Sequence, residues 1–191
     1  DLARFGYRER PTLRPLLLSN RNLETHYRVD NSLRAFALLR GRRGDAEMTV
    51  AGEGSEGSQL RILAQTLGVG GVRFAGRVAP DAMPRLYDQA DVFVNSSIVD
   101  NQPLSVLEAF AAGVPVVSTP TGGIAAMVRD GETGSIVAPD DPAAMVGAID
   151  DLLSRPAHAR QMALRAREEL GQYTWANARE QWAGVYRGAA A

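Results

Sequence analysis

Residues 91–123 read DVFVNSSIVDNQPLSVLEAFAAGVPVVSTPTGG. An apolar run ending in turn formers (91–95) is followed by an apolar-periodic segment (103–112), a glycine stop at Gly113 and a second β-branched run (115–119). That order reads as strand, helix, strand. Two parallel strands joined through a helix make a right-handed crossover, so this stretch alone points to a parallel sheet covered by helices.

The same alternation continues outward. Residues 14–20 (RPLLLSN) read as a buried strand, 28–41 as a helix, and 47–51 as a strand closed by Gly52-Glu53-Gly54. A helix over 56–67 precedes a strand over 72–75 that ends at Gly76-Arg77, and a helix over 80–90 carries Pro80 in its first turn. Gly122-Gly123 opens a helix to Val128, 134–138 is a last short strand, and 141–154, 156–171 and 175–187 read as helices, the last with Thr174 as N-cap. The expected fold is α/β, a Rossmann-like doubly wound parallel sheet of about six strands with helices on both faces. Ligands then belong at the carboxyl ends of the strands, where the polar and Gly-rich stretches 19–21, 52–54, 76–77, 95–101 and 119–123 fall. Residues 1–13 are polar and Arg-rich and read as a linker; 14–172 form the domain, and 173–191 a terminal helix.

Composition narrows the chemistry. The chain has 191 residues, 45% hydrophobic and 23% charged, which suits a globular domain with a core. With 21 basic and 22 acidic residues the net charge is −1, against a general binder of nucleic acid. Ten Arg against four acids in residues 1–43 read as a solvated face. The absence of Cys closes disulfides, thiolate catalysis and Cys-held metals, and His26 and His158 are too far apart in sequence to suggest a His centre. All 21 basic residues are Arg, so a P-loop Lys and Schiff-base chemistry are closed as well. An anion must be held by Arg, backbone N–H groups or a helix N-terminus. No apolar run approaches the roughly 18 residues of a membrane span, and residues 1–10 hold no apolar signal core.

Asp100 and Glu108 bracket seven residues around the start of the helix expected over 103–112. Free N–H donors and the positive end of the helix dipole suit a phosphate, and the flanking carboxylates suit polyol hydroxyls. The residues alone leave plainer readings open: Asp100 as an N-terminal helix acid, Glu108 as a capping or ion-pair residue. Arg21 is either a phosphate holder or a strand-end partner of Glu24 or Asp30. Glu53 and His26 read as solvated loop residues, and Trp175, Trp182 and Tyr186, at helical spacing, as packing residues rather than a base-stacking platform.

The pattern as a whole closely resembles the C-terminal half of the retaining GT-B glycosyltransferases of family four. The resemblance covers about nine tenths of the chain. It rests on the acid, seven residues, Glu-Ala-Phe-Ala run from Asp100 to Ala111, the Gly-Val-Pro-Val-Val strand at 113–117, the Gly122-Gly123 turn and Asp130-Gly131-Glu132-Thr133-Gly134. Val72-Arg73-Phe74-Ala75-Gly76, Tyr87-Asp88-Gln89-Ala90-Asp91-Val92 and Tyr173-Thr174-Trp175 match further segments in order.

The resemblance implies roles. Glu108 would hold the ribose hydroxyls and Asp100 the hydroxyls of the donor sugar. Backbone groups of Asn101, Gln102, Leu104 and Ser105 would meet sugar and diphosphate, and Arg21 the phosphates. Gly76, Arg77 and Val78 would pass beside the base, and Gly52 and Gly54 would allow close approach near the sugar nucleotide. Asp100 and Arg21 are the expected catalytic pair. No metal or other cofactor is implied, because Arg and the helix dipole neutralise the leaving diphosphate. The implied activity is transfer of a sugar from a nucleotide-diphosphate sugar to an acceptor glycan or lipid, with retention at the anomeric carbon. The implied partner is an N-terminal acceptor-binding half, against which the terminal helix would pack. The implied location is the cytoplasm, or the membrane periphery in the intact enzyme. Alternatives are a nucleotide-sugar-binding module without catalysis and a sugar-nucleotide epimerase of the same architecture.

Four departures stand out. The first acid is Asp100 where the family has Glu. The Lys that follows the phosphate Arg is missing, leaving His26 or Arg28 in its neighbourhood. Pro103 removes one N–H from the helix start, and Ala126 stands where Glu is common.

Overall fold

Alternation along the strands decides the layers. In β1 (Leu16–Asn20), the buried neighbours Leu17 and Leu18 join two different apolar clusters, because successive side chains leave a strand on opposite faces. Val92 and Val94 part from Phe93 in β4 (Val92–Asn95) in the same way, and Val117 from Val116 in β5 (Val116–Ser118). The first cluster is closed by Leu33, Phe36 and Leu39 of α1 (Val29–Arg42), Leu60 of α2 (Gly57–Thr66) and Met145, Ile149 and Leu152 of α6 (Pro142–Ser154). The second is closed by α3 (Met83–Gln89), α4 (Leu104–Ala112) and α5 (Ile124–Met127). α7 (Pro156–Glu168) gives Met162 to one cluster and Ala166 to the other. Helices therefore cover both faces, and β4 and β5 are buried along their whole length, as parallel strands require.

The structure, a computed structural model, describes residues 2–189. Asp1 of the expected linker and residues 190–191 of the expected terminal helix lie outside the described residues. With β2 (Glu47–Ala51), β3 (Val72–Gly76) and β6 (Ser135–Ile136), the strand order is β3-β2-β1-β4-β5-β6, with every named pair parallel. The order reverses between β1 and β4. The connections leaving these two strands diverge there and open a crevice at their carboxyl ends.

Three local expectations need correction. The helix expected from Pro80 begins at Met83: residues 80–82 lie in a turn closed by Ala82 N donating to Ala79 O at 2.9 Å, with Arg4 donating to Pro80 O at 3.0 Å. The helix expected over 156–171 ends at Glu168 and tightens into a 3-10 turn over Glu169–Tyr173. Trp175, Trp182 and Tyr186, expected to pack, are 78%, 62% and 69% exposed on α8 (Trp175–Ala189). Their spacing marks an apolar stripe that the domain itself does not cover. The Thr174 cap stands: Asn177 N donates to Thr174 Oγ1 at 3.3 Å.

The segment read as a linker is packed against the domain. Phe5 is buried, edge-on to Tyr87 with ring centroids 5.5 Å apart. Arg10 is only 2% exposed. It donates to Tyr87 O and Ala90 O at the end of α3, and to Ala112 O and Gly113 O at the end of α4, at 2.9–3.1 Å. One guanidinium thus satisfies the free carbonyls of two helix ends, where the dipoles favour a cation. The buried Asp91 carboxylate balances it, 3.4 Å from Arg10, with Arg8 at 2.8 Å and Arg14 at 2.9 Å. Polar composition hid this, because the partners lie some 80–100 residues away.

Burial pushes the Asp91 carboxyl up, but hydrogen bonds from Arg14 and Arg8 outweigh it and hold the group below its ordinary range. The stability it contributes is present above about pH 4 and is lost as pH falls through the folded value. Asp91→Asn leaves the buried guanidinium uncompensated. We expect a loss of about 3 kcal/mol near neutral pH and a flatter decline into acid, read as urea midpoints by far-ultraviolet circular dichroism.

Candidate functional site

Arg21 follows β1 directly, and Asp100 lies in the connection from β4 to α4, so both stand at the switch-point crevice. They meet as an ion pair between Arg21 Nη2 and Asp100 Oδ2. Arg21 Nη1 also donates to Ser105 Oγ, in the first turn of α4, at 3.0 Å. The sequence reading placed these three residues near one another but did not foresee their pairing; its alternative partners for Arg21 are engaged elsewhere. Glu24 accepts from Ser55, and Asp30 from Arg28. Arg21 Nε is buried with no hydrogen-bond partner among the described residues.

Glu108 stands one turn beyond Ser105 on the same helix face. It is half-buried and accepts from Asn20 Nδ2 at 3.4 Å. Asn20 also donates to the Tyr87 hydroxyl at 3.0 Å, and that hydroxyl donates to Ser105 O at 3.0 Å. Consecutive residues at the end of β1 thus reach the two acids: Arg21 takes Asp100 and Asn20 takes Glu108. Asn20 and Tyr87 were missed as site residues. The available signals were the place of Asn20 at a strand end and of Tyr87 within a family segment. Glu108 also borders a groove of about 730 Å³, with Phe5, Leu104, Leu107, Tyr173 and Trp175 on its walls. Burial pushes the Glu108 carboxyl up and the Tyr87 phenol well up.

The glycines have a different immediate neighbour from the one expected. Gly52 has φ +125, and a Cβ there would run into Arg21 O; a Cβ on Gly54 would run into Leu23 O. The close approach they permit is of the Arg21–Leu23 backbone. Gly122 (φ +55) and Gly123 do the same for Asp100 O and Asn101 O, with Gly123 N donating to Asp100 O at 3.2 Å. Each half of the Arg21–Asp100 pair therefore sits in a loop pressed by a glycine loop from the neighbouring strand.

The other expected residues are more dispersed. Asn101, Gln102 and Leu104 are exposed at the amino end of α4, where Pro103 occupies the cap position. Gly76, Arg77 and Val78 lie at the end of β3, two strands from β1 and so about 10 Å away. Arg77 and Val78 line a separate cavity of about 400 Å³ with Arg73, Arg85 and Leu86. Glu53 and His26 are exposed, as expected. Arg28 does not replace the missing Lys, because Asp30 and Asp140 hold its guanidinium at 3.1 and 2.6 Å. Nothing in the structure explains Ala126. Among the described residues, no three His, Cys, Asp or Glu side chains gather as a metal-binding group, and no helix is long and apolar enough to cross a membrane.

The sequence model of the family described as glycosyl transferases group 1 matches residues 7–169. A D-inositol 3-phosphate glycosyltransferase of Corynebacterium diphtheriae is 34% identical over 165 residues, covering 83% of this chain and 39% of the relative. A glycogen synthase of Mycobacterium tuberculosis is 33% identical, covering 97% of this chain and 46% of the relative. The chain thus spans less than half the length of these curated relatives. Among solved structures, the C-terminal domain of a glycosyl transferase group 1 family protein from Francisella tularensis superposes with a TM-score of 0.80 at 19% identity, over 90% of this chain and 96% of that one. HepE of Anabaena in complex with UDP-glucose gives 0.86 at 16% identity, over 98% of this chain and 55% of that one. These likenesses fix the fold.

Two outcomes follow from the geometry. Gly122→Ala forces Asp100 away from its place and strains a left-handed residue, with an expected loss of at least about 2 kcal/mol in urea denaturation. The Glu108 carboxyl titrates above its ordinary value of about 4.3, read by carbon NMR. Its contribution to stability is present below that value and is lost as pH rises through the folded one, a loss that Glu108→Gln removes.

Proposed function

Because the chain belongs to the glycosyl transferases group 1 family, we propose that it is the donor-binding half of an enzyme that transfers a sugar from a nucleotide-diphosphate sugar to an acceptor, with retention at the anomeric carbon. The observation that carries this reading is the joining of Arg21, Asp100 and Ser105 at the switch-point crevice, with Glu108 one helical turn away. Arg21 and the amino end of α4 would take the diphosphate and stabilise the charge that develops as it leaves. Asp100 would accept hydroxyls of the donor sugar and Glu108 those of the ribose. Gly76, Arg77 and Val78 would border the base. Gly52 and Gly54 would act through the Arg21 loop that they admit. The proposal takes no metal cofactor.

The remaining partners are an acceptor-binding half and an acceptor glycan or lipid. The exposed stripe of α8 suits the first. The relatives' names differ in acceptor, so the proposal stops at a nucleotide-diphosphate sugar. Cytoplasmic chemistry, at the membrane periphery when the acceptor is a lipid, accords with this reading. One observation favours the non-catalytic module instead: Arg28, the Arg expected to stand in for the missing Lys, is locked by two acids.

Calorimetry with UDP, GDP, ADP and TDP and their sugar conjugates tests the donor site. One base series should bind. Arg21→Ala should weaken the nucleoside diphosphate about 10- to 100-fold, the value of a charge-assisted hydrogen bond. Asp100→Asn frees Arg21 from its carboxylate, so it should preserve or strengthen diphosphate binding while removing what the sugar adds. Absence of binding at millimolar ligand, or an Arg21→Ala variant that binds like the wild type, would defeat the reading. In the intact enzyme, the anomeric configuration of the product by NMR decides retention, and absence of transfer favours the module.

A further inference from the structure

The hydrogen bonds of Arg21 leave the flat faces of its guanidinium unaccounted for. Nη2 goes to Asp100, Nη1 to Ser105, and Nε has no partner among the described residues. The Arg21 Cζ lies over the face of the Tyr27 ring, 4.2 Å from its centroid. The His26 ring lies on Tyr27 in turn, with centroids 4.1 Å apart and planes at 51°. The Tyr27 ring thus touches both the guanidinium and the imidazole.

Tyr27 is not a loose surface side chain. It ends a 3-10 turn over Thr25–Tyr27 and is half-buried against the α1 side of the core. Its N–H donates to Glu24 O at 2.9 Å. Ser96 Oγ contacts Tyr27 O at 3.2 Å and Arg28 O at 2.6 Å, and Ile98 N donates to His26 O at 2.9 Å. Ser96 and Ile98 belong to the connection that carries Asp100. One loop therefore places both the ring under the guanidinium and the carboxylate at its edge. Arg28 follows in the left-handed region, φ 47, which turns the chain from this pinned ring into α1.

We propose that Tyr27 is the positioning residue for Arg21, holding the plane of its guanidinium while the in-plane N–H groups exchange Asp100 for the diphosphate of the donor. The inference rests on the reading of Arg21 as the diphosphate holder. In the described state Asp100 neutralises Arg21, so a bound diphosphate must compete for or share its donors. Contact with a ring face is directed out of the guanidinium plane and uses none of those donors. The ring can keep the fork aimed without competing for it, and the geometry of the fork matters because phosphate recognition by Arg is planar. This gives the chain a route to a fixed phosphate site with one cation instead of two.

The test uses the full chain and the nucleoside diphosphate that binds it best among UDP, GDP, ADP and TDP. Tyr27→Phe should keep its affinity. Tyr27→Leu, which keeps apolar volume and removes the ring face, should lower it about tenfold, the order expected for a cation–π contact. The affinity of the matching nucleoside should stay unchanged. In an Arg21→Ala background the effect of Tyr27→Leu should vanish, since the ring acts through Arg21. A second readout needs no ligand. The Arg21 Nε–H resonance, identified by its absence in Arg21→Ala, should move downfield in Tyr27→Leu and stay in place in Tyr27→Phe. Equal loss for nucleoside and diphosphate, a loss that persists without Arg21, or an unmoved resonance would each assign Tyr27 to packing alone. Absence of nucleotide binding by the wild type would instead overturn the donor-site reading, and this inference with it.

Discussion

A single buried guanidinium sets the frame. Arg10 closes the carboxyl ends of α3 and α4 together and is balanced by Asp91, the residue just before β4. The side chains that shape the crevice hang from those elements: Tyr87 from α3, Ser105 and Glu108 from α4, and Asp100 from the connection that leaves β4. Lys could not do this, because a compact ammonium lacks the flat fork that spans two helix ends. The contact also lies at the carboxyl ends of the helices, away from the amino end of α4 that faces Arg21.

A second constraint is steric. Gly52 and Gly54 press against the loop that carries Arg21, and Gly122 and Gly123 against the one that carries Asp100. Neighbouring loops pack backbone on backbone across β1, β2, β4 and β5, leaving the two charged side chains little choice but to face each other over the switch point. The Arg21–Asp100 pair is thus a product of how the sheet is wound, and it orients both side chains.

Much of this was legible in the sequence. Leu17 and Leu18, or Val116 and Val117, announce buried strands, because β-branched and apolar neighbours suit a sheet covered on both sides. Arg21, Asp100, Ser105 and Glu108, which the fold gathers at the switch point, were also within reach, since the motif order fixes which strand ends they follow. What escaped was long-range and polar. Arg8 and Arg10 look like linker residues until helix ends distant in the chain are brought beside them. Gly52 and Gly122 signal a close approach, but not to which backbone. Tyr27 looks like one more aromatic residue ahead of a helix until the guanidinium is seen lying on it. Periodicity records what a residue turns its back on, and says little about which partner the fold delivers.

Both tryptophans of the chain, Trp175 and Trp182, lie on α8, and both are largely exposed. Intrinsic emission therefore comes from a helix that stands outside the apolar interior. It would respond to anything that covers that stripe, and through Trp175 to whatever fills the groove that this ring shares with Glu108. The optical signal most often used to follow a protein's unfolding is, in this chain, a built-in gauge of contact with another surface.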